Sequence, residues 1–160
     1  MPKKRYWLFK SEPEEYSFDD LLRDKKTCWD GIRNYQVRNF MRDEMQVGDE
    51  VLFYHSNSSP PGVAGLARVA SGAYPDHTQF DPKDKHYDAK SDPDEPRWLM
   101  VDIEAAGELA RYVGLPELKA DPALEEMGVV RRGNRLSVQP VSAAEFRRVK
   151  ALAKRAPAAK

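Results

Sequence analysis

Cysteine is almost absent from this chain. Cys28 is the only one, which excludes an intrachain disulfide and a thiolate metal cluster. Long apolar runs are missing too: no stretch approaches the ~20 apolar residues of a membrane helix. None follows Met1-Pro2-Lys3-Lys4-Arg5 as a secretory leader would require. A cytoplasmic setting without a membrane partner is therefore expected. Histidine is sparse, with His55, His77 and His86 far apart. Asp88, Asp92 and Asp94 lack the central glycine and the twelfth-position Glu of an EF-hand loop, so neither a metal nor a cofactor is expected.

Catalytic signatures are also missing. The chain has no G-x-S-x-G, no H-E-x-x-H, no phosphate-cradling glycine loop and no G-x-G-x-x-G. Ser56 follows His55 directly, and neighbours in a strand point to opposite faces, which argues against a Ser–His pair. Cys28 beside Trp29 reads as a small buried hydrophobe rather than a nucleophile.

What is present describes a globular chain. At 160 residues, 41% of them hydrophobic and 32% charged, it is long enough for one domain that buries roughly 68–70% of its unfolded surface. That domain is expected over residues 1–155, with a short basic tail at 156–160. Formal charge balances at 26 Lys/Arg against 26 Asp/Glu, but the distribution is uneven. From Arg131 to Lys160 nine basic residues face one acid, Glu145, whereas Pro75 to Pro96 holds seven acids and three lysines. A basic face suited to phosphate can therefore exist on a neutral chain.

Patterning along the chain predicts short elements. Tyr6–Lys10 reads as a strand, and Ser17 with Asp20 as a capping box for a short helix. Thr27–Trp29 is a second strand, ending at the turn signal Trp29-Asp30-Gly31. Asn34 is a candidate N-cap for a helix running to about Met45. Strands follow from Val51 and from Val63 to about Val69, then a bend at Ser71-Gly72. Pro75 to Pro96 has four prolines and little periodicity, which predicts a long loop of the kind that is usually functional or disordered. Arg97–Ile103 returns to strand, one or two helical turns fall within Leu115–Met127, and Arg135–Val138 is a last strand. Ser142 and Glu145 cap a C-terminal helix reaching about Leu152. Five or six strands among short helices, without a βαβ rhythm, predict an α+β fold: a small mixed barrel with flanking helices.

A polar and aromatic set without a reactive group is left over: Lys10, Ser11, Trp29, Arg33, Asn34, Tyr35, Arg38, Asn39, Tyr54, His55 and Ser56. Flat aromatics stack on bases, amides and hydroxyls read base edges, and arginines hold phosphates. Between Gly31 and Arg42 stand three arginines and no acid. The stretch "FYHSNSSPPG", Phe53 to Gly62, ends a buried strand on His55 and Ser56 beside a Pro-Pro-Gly corner. That is either a hairpin tip or the rim of a pocket for something flat and polar.

The blocks "YWLFKSEPEEYSFDDL", "WDGIRNYQVRNFMR", "GDEVLFYHS", "PPGVAGLARV", "YPDHTQFD", "YDAKSDPDEPRWLMVDI" and "RLSVQPVSAAEF" resemble, in order, those of the EVE domain family over about residues 5–150. The resemblance implies a PUA-like fold, a curved mixed β-barrel of five to six strands with flanking helices, related to the YTH domains that read N6-methyladenine in RNA. It also implies a non-catalytic pocket for a modified base in DNA or RNA, 5-methylcytosine and its oxidised forms among them. Carried over, the pocket would involve Ser11, Trp29, Asn34, Tyr35, Asn39, Tyr54, His55, Ser56, Pro61 and Gly62, with Trp98 and Ser137 as further candidates. Lys10, Arg33, Arg38, Arg97 and Arg135 would contact phosphates. The expected partner is a nucleic acid carrying a modified base, bound by a monomer. No long basic N-terminal extension of the eukaryotic kind is present, which goes with a bacterial chain. Two alternatives stay open. The PUA-like ASCH domains include enzymes on modified nucleosides, for which Lys10, Ser11 and Glu12 could be read as a site, and the acidic loop could serve a protein-interaction adaptor.

Overall fold

Two apolar runs, Trp7-Leu8-Phe9 and Val51-Leu52-Phe53-Tyr54, form the centre of the sheet. In the computed structural model, which describes residues 4–134 and 136–155, they lie in strands β1 (Tyr6–Ser11) and β3 (Glu50–His55). These pair in parallel, with Trp7 opposite Val51 and Phe9 opposite Phe53. Successive strand residues face opposite sides, and here both sides are covered. Trp7, Phe9, Val51 and Phe53 belong to one core with Phe18 and Leu21 of α1 (Phe18–Asp24) and Val37 of α2 (Tyr35–Asn39). Leu8, Leu52 and Tyr54 belong to a second core with Leu118 of α3 (Leu115–Ala120) and Phe146 and Val149 of α4 (Ala143–Ala153). Burial on both faces explains why these strands read as continuous apolar runs rather than alternating ones.

The remaining strands are β2 (Lys26–Trp29), β4 (Gly62–Val69), β5 (Tyr74–Pro75), β6 (Leu99–Gly114) and β7 (Val138–Val141). Their order is β2-β6-β4-β3-β1-β7, with β5 added to β6, so the sheet has seven strands rather than the expected five or six. The order is an open path with β2 and β7 at its ends, yet those ends converge. The ring of Trp29 on β2 lies 5.3 Å from that of Phe9 on β1. A seam therefore runs between β2 and the β1–β7 edge.

Several boundaries differ from the sequence reading. The helix after Asn34 changes at Phe40 into a π-helical turn, Phe40–Glu44, closed by Met45 N–H donating to the Phe40 carbonyl at 2.8 Å. β6 runs on to Gly114, eleven residues beyond the expected Ile103. Its second half, Glu104 to Arg111, alternates between half-buried and exposed positions and is poor in the β-branched residues that mark strands. The last strand begins at Val138 instead of Arg135. It includes Pro140, which is tolerated because, among the described residues, β7 is an edge strand paired only with β1. Gly65 allows α1 to sit on the sheet, since a Cβ there would fall 2.2 Å from the Phe18 ring. No helix among the described residues is long and apolar enough to cross a membrane.

Candidate functional site

The seam between β2 and β1 opens into a cavity of about 520 Å³, within the usual range for ligand sites. One wall is the end of β2, Thr27 to Trp29, continued by Asp30 to Ile32. The opposite wall is Lys10 and Ser11 at the end of β1, with Ser56 and Ser137 beside them. Backbone pairing fixes that wall: Ser56 N–H donates to the Ser11 carbonyl at 2.9 Å and Lys10 N–H to the Ser137 carbonyl at 2.8 Å. Trp29 is half-buried. Its ring packs at 5.7 Å, edge-on, against Phe53, and it lines the opening.

His86 closes the cavity from the loop between β5 and β6, and a buried network holds it there. Asp76, with no exposure, accepts hydrogen bonds from Gly31 N–H at 2.7 Å and from the Arg33 guanidinium at 3.1 Å. It also accepts from Thr78 N–H and hydroxyl at 2.8 and 2.5 Å. Arg33 in turn donates to the His86 carbonyl at 2.9 Å. Gly31 has φ +80°, and a Cβ there would stand 2.6 Å from the His86 ring, so only glycine permits both the turn and the contact. Buried Gln79 ties the loop down, donating to the carbonyls of Asp76 and Trp98 at 2.7 and 2.8 Å. The acidic segment is thus an ordered wall.

Of the residues proposed from sequence, Lys10, Ser11, Trp29, Ser56 and Ser137 line this cavity. A second group clamps the loop instead. Tyr35 stacks on Trp98 with ring centroids 4.8 Å apart, and the Arg38 guanidinium lies 4.7 Å from the centre of the Tyr35 ring. Arg38 donates to the Arg97 carbonyl at 3.1 Å and to Asn39 Oδ1 at 2.9 Å. Trp98 Nε1 donates to Asp88 at 2.7 Å, and Arg97 pairs with that carboxylate at 3.6 Å. Asn34 caps α2 by accepting from Val37 N–H at 3.1 Å.

The strand-end corner lies outside the cavity lining except for Ser56. Tyr54 faces the second core, where burial and neighbouring Tyr112 push its hydroxyl up to about 12. His55 Nε2 accepts from Phe18 N–H at 3.0 Å, a bond that needs the neutral ring, and burial lowers its pKa in the same sense. Pro61 accepts from Leu115 N–H at 2.7 Å, and Gly62 faces Gly114 across the β4–β6 pairing. This corner therefore fastens β4 to β6 and α3. Arg135 lies outside the described residues.

Sequence reasoning did not single out Asp30, Gly31, Ile32, Thr27, Glu15, Tyr16 or His86 as lining residues. The turn signal after Trp29 pointed at Asp30 and Gly31, but nothing local marks His86. The cavity's electrostatics are mixed. Burial lowers the pKa of the Lys10 amine, and burial with nearby Asp30 raises that of the Cys28 thiol. Asp30 is exposed as a residue, but partial desolvation of its carboxyl beside the cavity and the Asp76 carboxylate raise its pKa. A carboxyl whose folded pKa is raised costs stability as pH climbs through the window between its ordinary and its raised value, and that cost persists above it. Asp30→Asn should therefore melt higher than the parent at pH 7 and not at pH 3. An unchanged or lower melting temperature at pH 7 refutes this.

The family model of the EVE domain matches residues 5–152. This chain belongs to the EVE domain family. Among curated relatives, thymocyte nuclear protein 1 of Danio rerio is 46% identical over 164 residues, 91% of this chain and 70% of the relative. Among solved structures, the human THYN1 protein in complex with 5-methylcytosine-containing DNA is 42% identical with a TM-score of 0.90, covering 96% of this chain and all of that one. The YTH domain of Zygosaccharomyces rouxii MRB1 protein, solved with N6-methyladenosine RNA, matches at TM-score 0.54 and 17% identity over all of this chain and 90% of that one. That likeness is one of fold, and it agrees with the PUA-like architecture of an EVE domain.

Proposed function

We propose that this EVE domain is a non-catalytic reader of a modified base in DNA, of the 5-methylcytosine type, held out of the stack in the Trp29 cavity. The observation that carries the reading is the seam: a half-buried indole faces serine hydroxyls and one lysine across a cavity of about 520 Å³. An aromatic wall supplies sequence-tolerant stacking, and the hydroxyls and strand-edge backbone supply polar contacts. The related human protein bound to 5-methylcytosine-containing DNA supports this choice of ligand. Two features weigh against an enzyme. The Ser11 hydroxyl donates to the Tyr16 carbonyl at 2.6 Å, so its proton is committed, and the Cys28 thiol is pushed away from the thiolate that would be the nucleophile.

Paired titrations of oligonucleotides that differ only in cytosine methylation test the proposal. Burying one methyl group is worth roughly 0.8 kcal/mol, or about fourfold in affinity. The methylated strand should bind at least that much more tightly. Equal affinities for the two strands would refute the reading.

A further inference from the structure

The arginines nearest the cavity in sequence are engaged within the protein. Arg33 is held by Asp76 and the His86 carbonyl, Arg38 by Asn39 and the Arg97 carbonyl, and Arg97 by Asp88. Elsewhere, Arg111 is bidentate on Glu117 and Arg148 pairs with Asp121. Lys10 lines the cavity itself, but a nucleic acid that continues across the surface needs further cations for its backbone.

The loop before β7 offers them. Arg131 and Arg132 are both exposed. They line, with Glu126, Gly128, Gly133 and Asn134, a separate depression of about 450 Å³. Arg132 meets no carboxylate among the described residues, and Arg131 has only Glu126 at 3.9 Å, with both side chains more than half exposed. Such a pair contributes little and is readily exchanged for a phosphate.

The loop is also held in shape. Val130 and Arg131 N–H both donate to the carbonyl of buried Met127 at 3.0 Å. Leu136 N–H donates to Asn134 Oδ1 at 3.2 Å, and buried Gln139 donates to the Leu136 carbonyl at 2.8 Å. The bases of these cations are thus fixed before any ligand arrives, which lowers the ordering cost of binding. Finally, the loop leads directly into Ser137, a wall of the cavity. Six residue steps lead from Arg131 to Ser137, a span of at most about 20–22 Å. That is on the order of six nucleotide steps at 3.4 Å per strand.

We propose that Arg131 and Arg132 form the phosphodiester-binding surface of this protein, gripping the strand a few nucleotides from the base in the Trp29 cavity. The inference rests on the reading of that cavity as a base pocket. It shifts the phosphate contacts away from the Arg33, Arg38 and Arg97 cluster to the loop that precedes Ser137.

The test is a salt series on the full chain, comparing the parent with Arg131→Gln/Arg132→Gln and with Arg131→Lys/Arg132→Lys. The probes are a methylated oligonucleotide and free 5-methylcytidine. In the Gln double variant, the slope of log affinity against log salt should fall by about 1.4–1.8, two contacts at roughly 0.7–0.9 each. The Lys variant should keep most of the slope, and 5-methylcytidine, which has no phosphate, should bind all three proteins alike. An unchanged slope in the Gln variant, with methylated DNA still preferred, overturns this inference and leaves the base-pocket reading intact. A reduced slope in a protein that shows no preference for methylated DNA supports the phosphate surface and overturns the base pocket instead. If the Gln variant melts early, the single Arg132→Gln variant should lose about half as much slope, and no loss there overturns the proposal.

Discussion

Replacing Asp76 by alanine is expected to destabilise the fold by about 3–5 kcal/mol, the usual cost of removing one partner from a buried charge pair. The carboxylate has no exposure and takes hydrogen bonds from Gly31, Thr78 and Arg33. The Arg33 side chain retains only 23% of its exposure, so its loss of a partner leaves a largely desolvated guanidinium. Gly31 N–H loses its acceptor as well, and both groups shape the wall around His86. For a chain of this length the loss corresponds to a fall in melting temperature of about 6–20 °C.

The same carboxylate predicts a pH dependence. Burial alone would raise its pKa, but hydrogen bonds from Thr78, Gly31 and Arg33 outweigh burial and hold it below the ordinary value. A depressed acid contributes stability that is fully present above its unfolded pKa of about 3.9 and is lost as pH falls through the folded value. The parent should therefore lose stability between about pH 5 and its acid limit, and Asp76→Ala should lose less over that range. Melts at pH 7 and at about pH 2, below the unfolded pKa, measure both effects. A variant within 1 kcal/mol of the parent at pH 7 would show that water replaces the carboxylate and that the loop is held by other contacts.

How far the sequence reveals this molecule depends on whether a signal is local. Capping boxes at Ser17 and Ser142 and the Asn34 cap are local chemistry, and the helices begin where those residues place them. The apolar runs of β1 and β3 likewise announce strands buried on both faces. The second half of β6 carried no such mark, because a partly exposed strand with Ala105, Ala106 and Gly107 resembles a loop in composition. Its existence depends on pairing with β4, which only tertiary structure shows. The candidate site divides in the same way. Trp29, Ser11 and Lys10 stand at strand ends that converge across the seam. Residues such as Tyr35, Arg38, Arg97 and Trp98 have the same chemical character but stack on one another. Composition cannot distinguish an arginine held by a carbonyl from one open to a phosphate. His86 reaches the cavity only because Asp76 and Arg33 fold the loop back, a relation spanning more than forty residues.

Trp29→Ala is expected to weaken binding of a methylated oligonucleotide by about 1–3 kcal/mol, the measured range for one base–aromatic stack, or roughly 5- to 150-fold. Geometry separates this loss from a general loss of fold. A fully buried tryptophan truncated to alanine costs about 3–5 kcal/mol, but Trp29 is only half-buried, touching Phe9 and Phe53 on its inner side while lining the cavity. Its truncation should therefore cost less than the core figure. Trp29→Phe sharpens the distinction, because the smaller ring still stacks while losing the indole N–H and some area. That variant should melt near the parent and lose less affinity than Trp29→Ala, with methylated strands still preferred over plain ones. Thermal melts of all three proteins, set beside titrations with both oligonucleotides, measure the two quantities independently. Should Trp29→Phe melt far below the parent yet, where folded, bind every oligonucleotide as the parent does, then Trp29 belongs to the core and the base sits elsewhere.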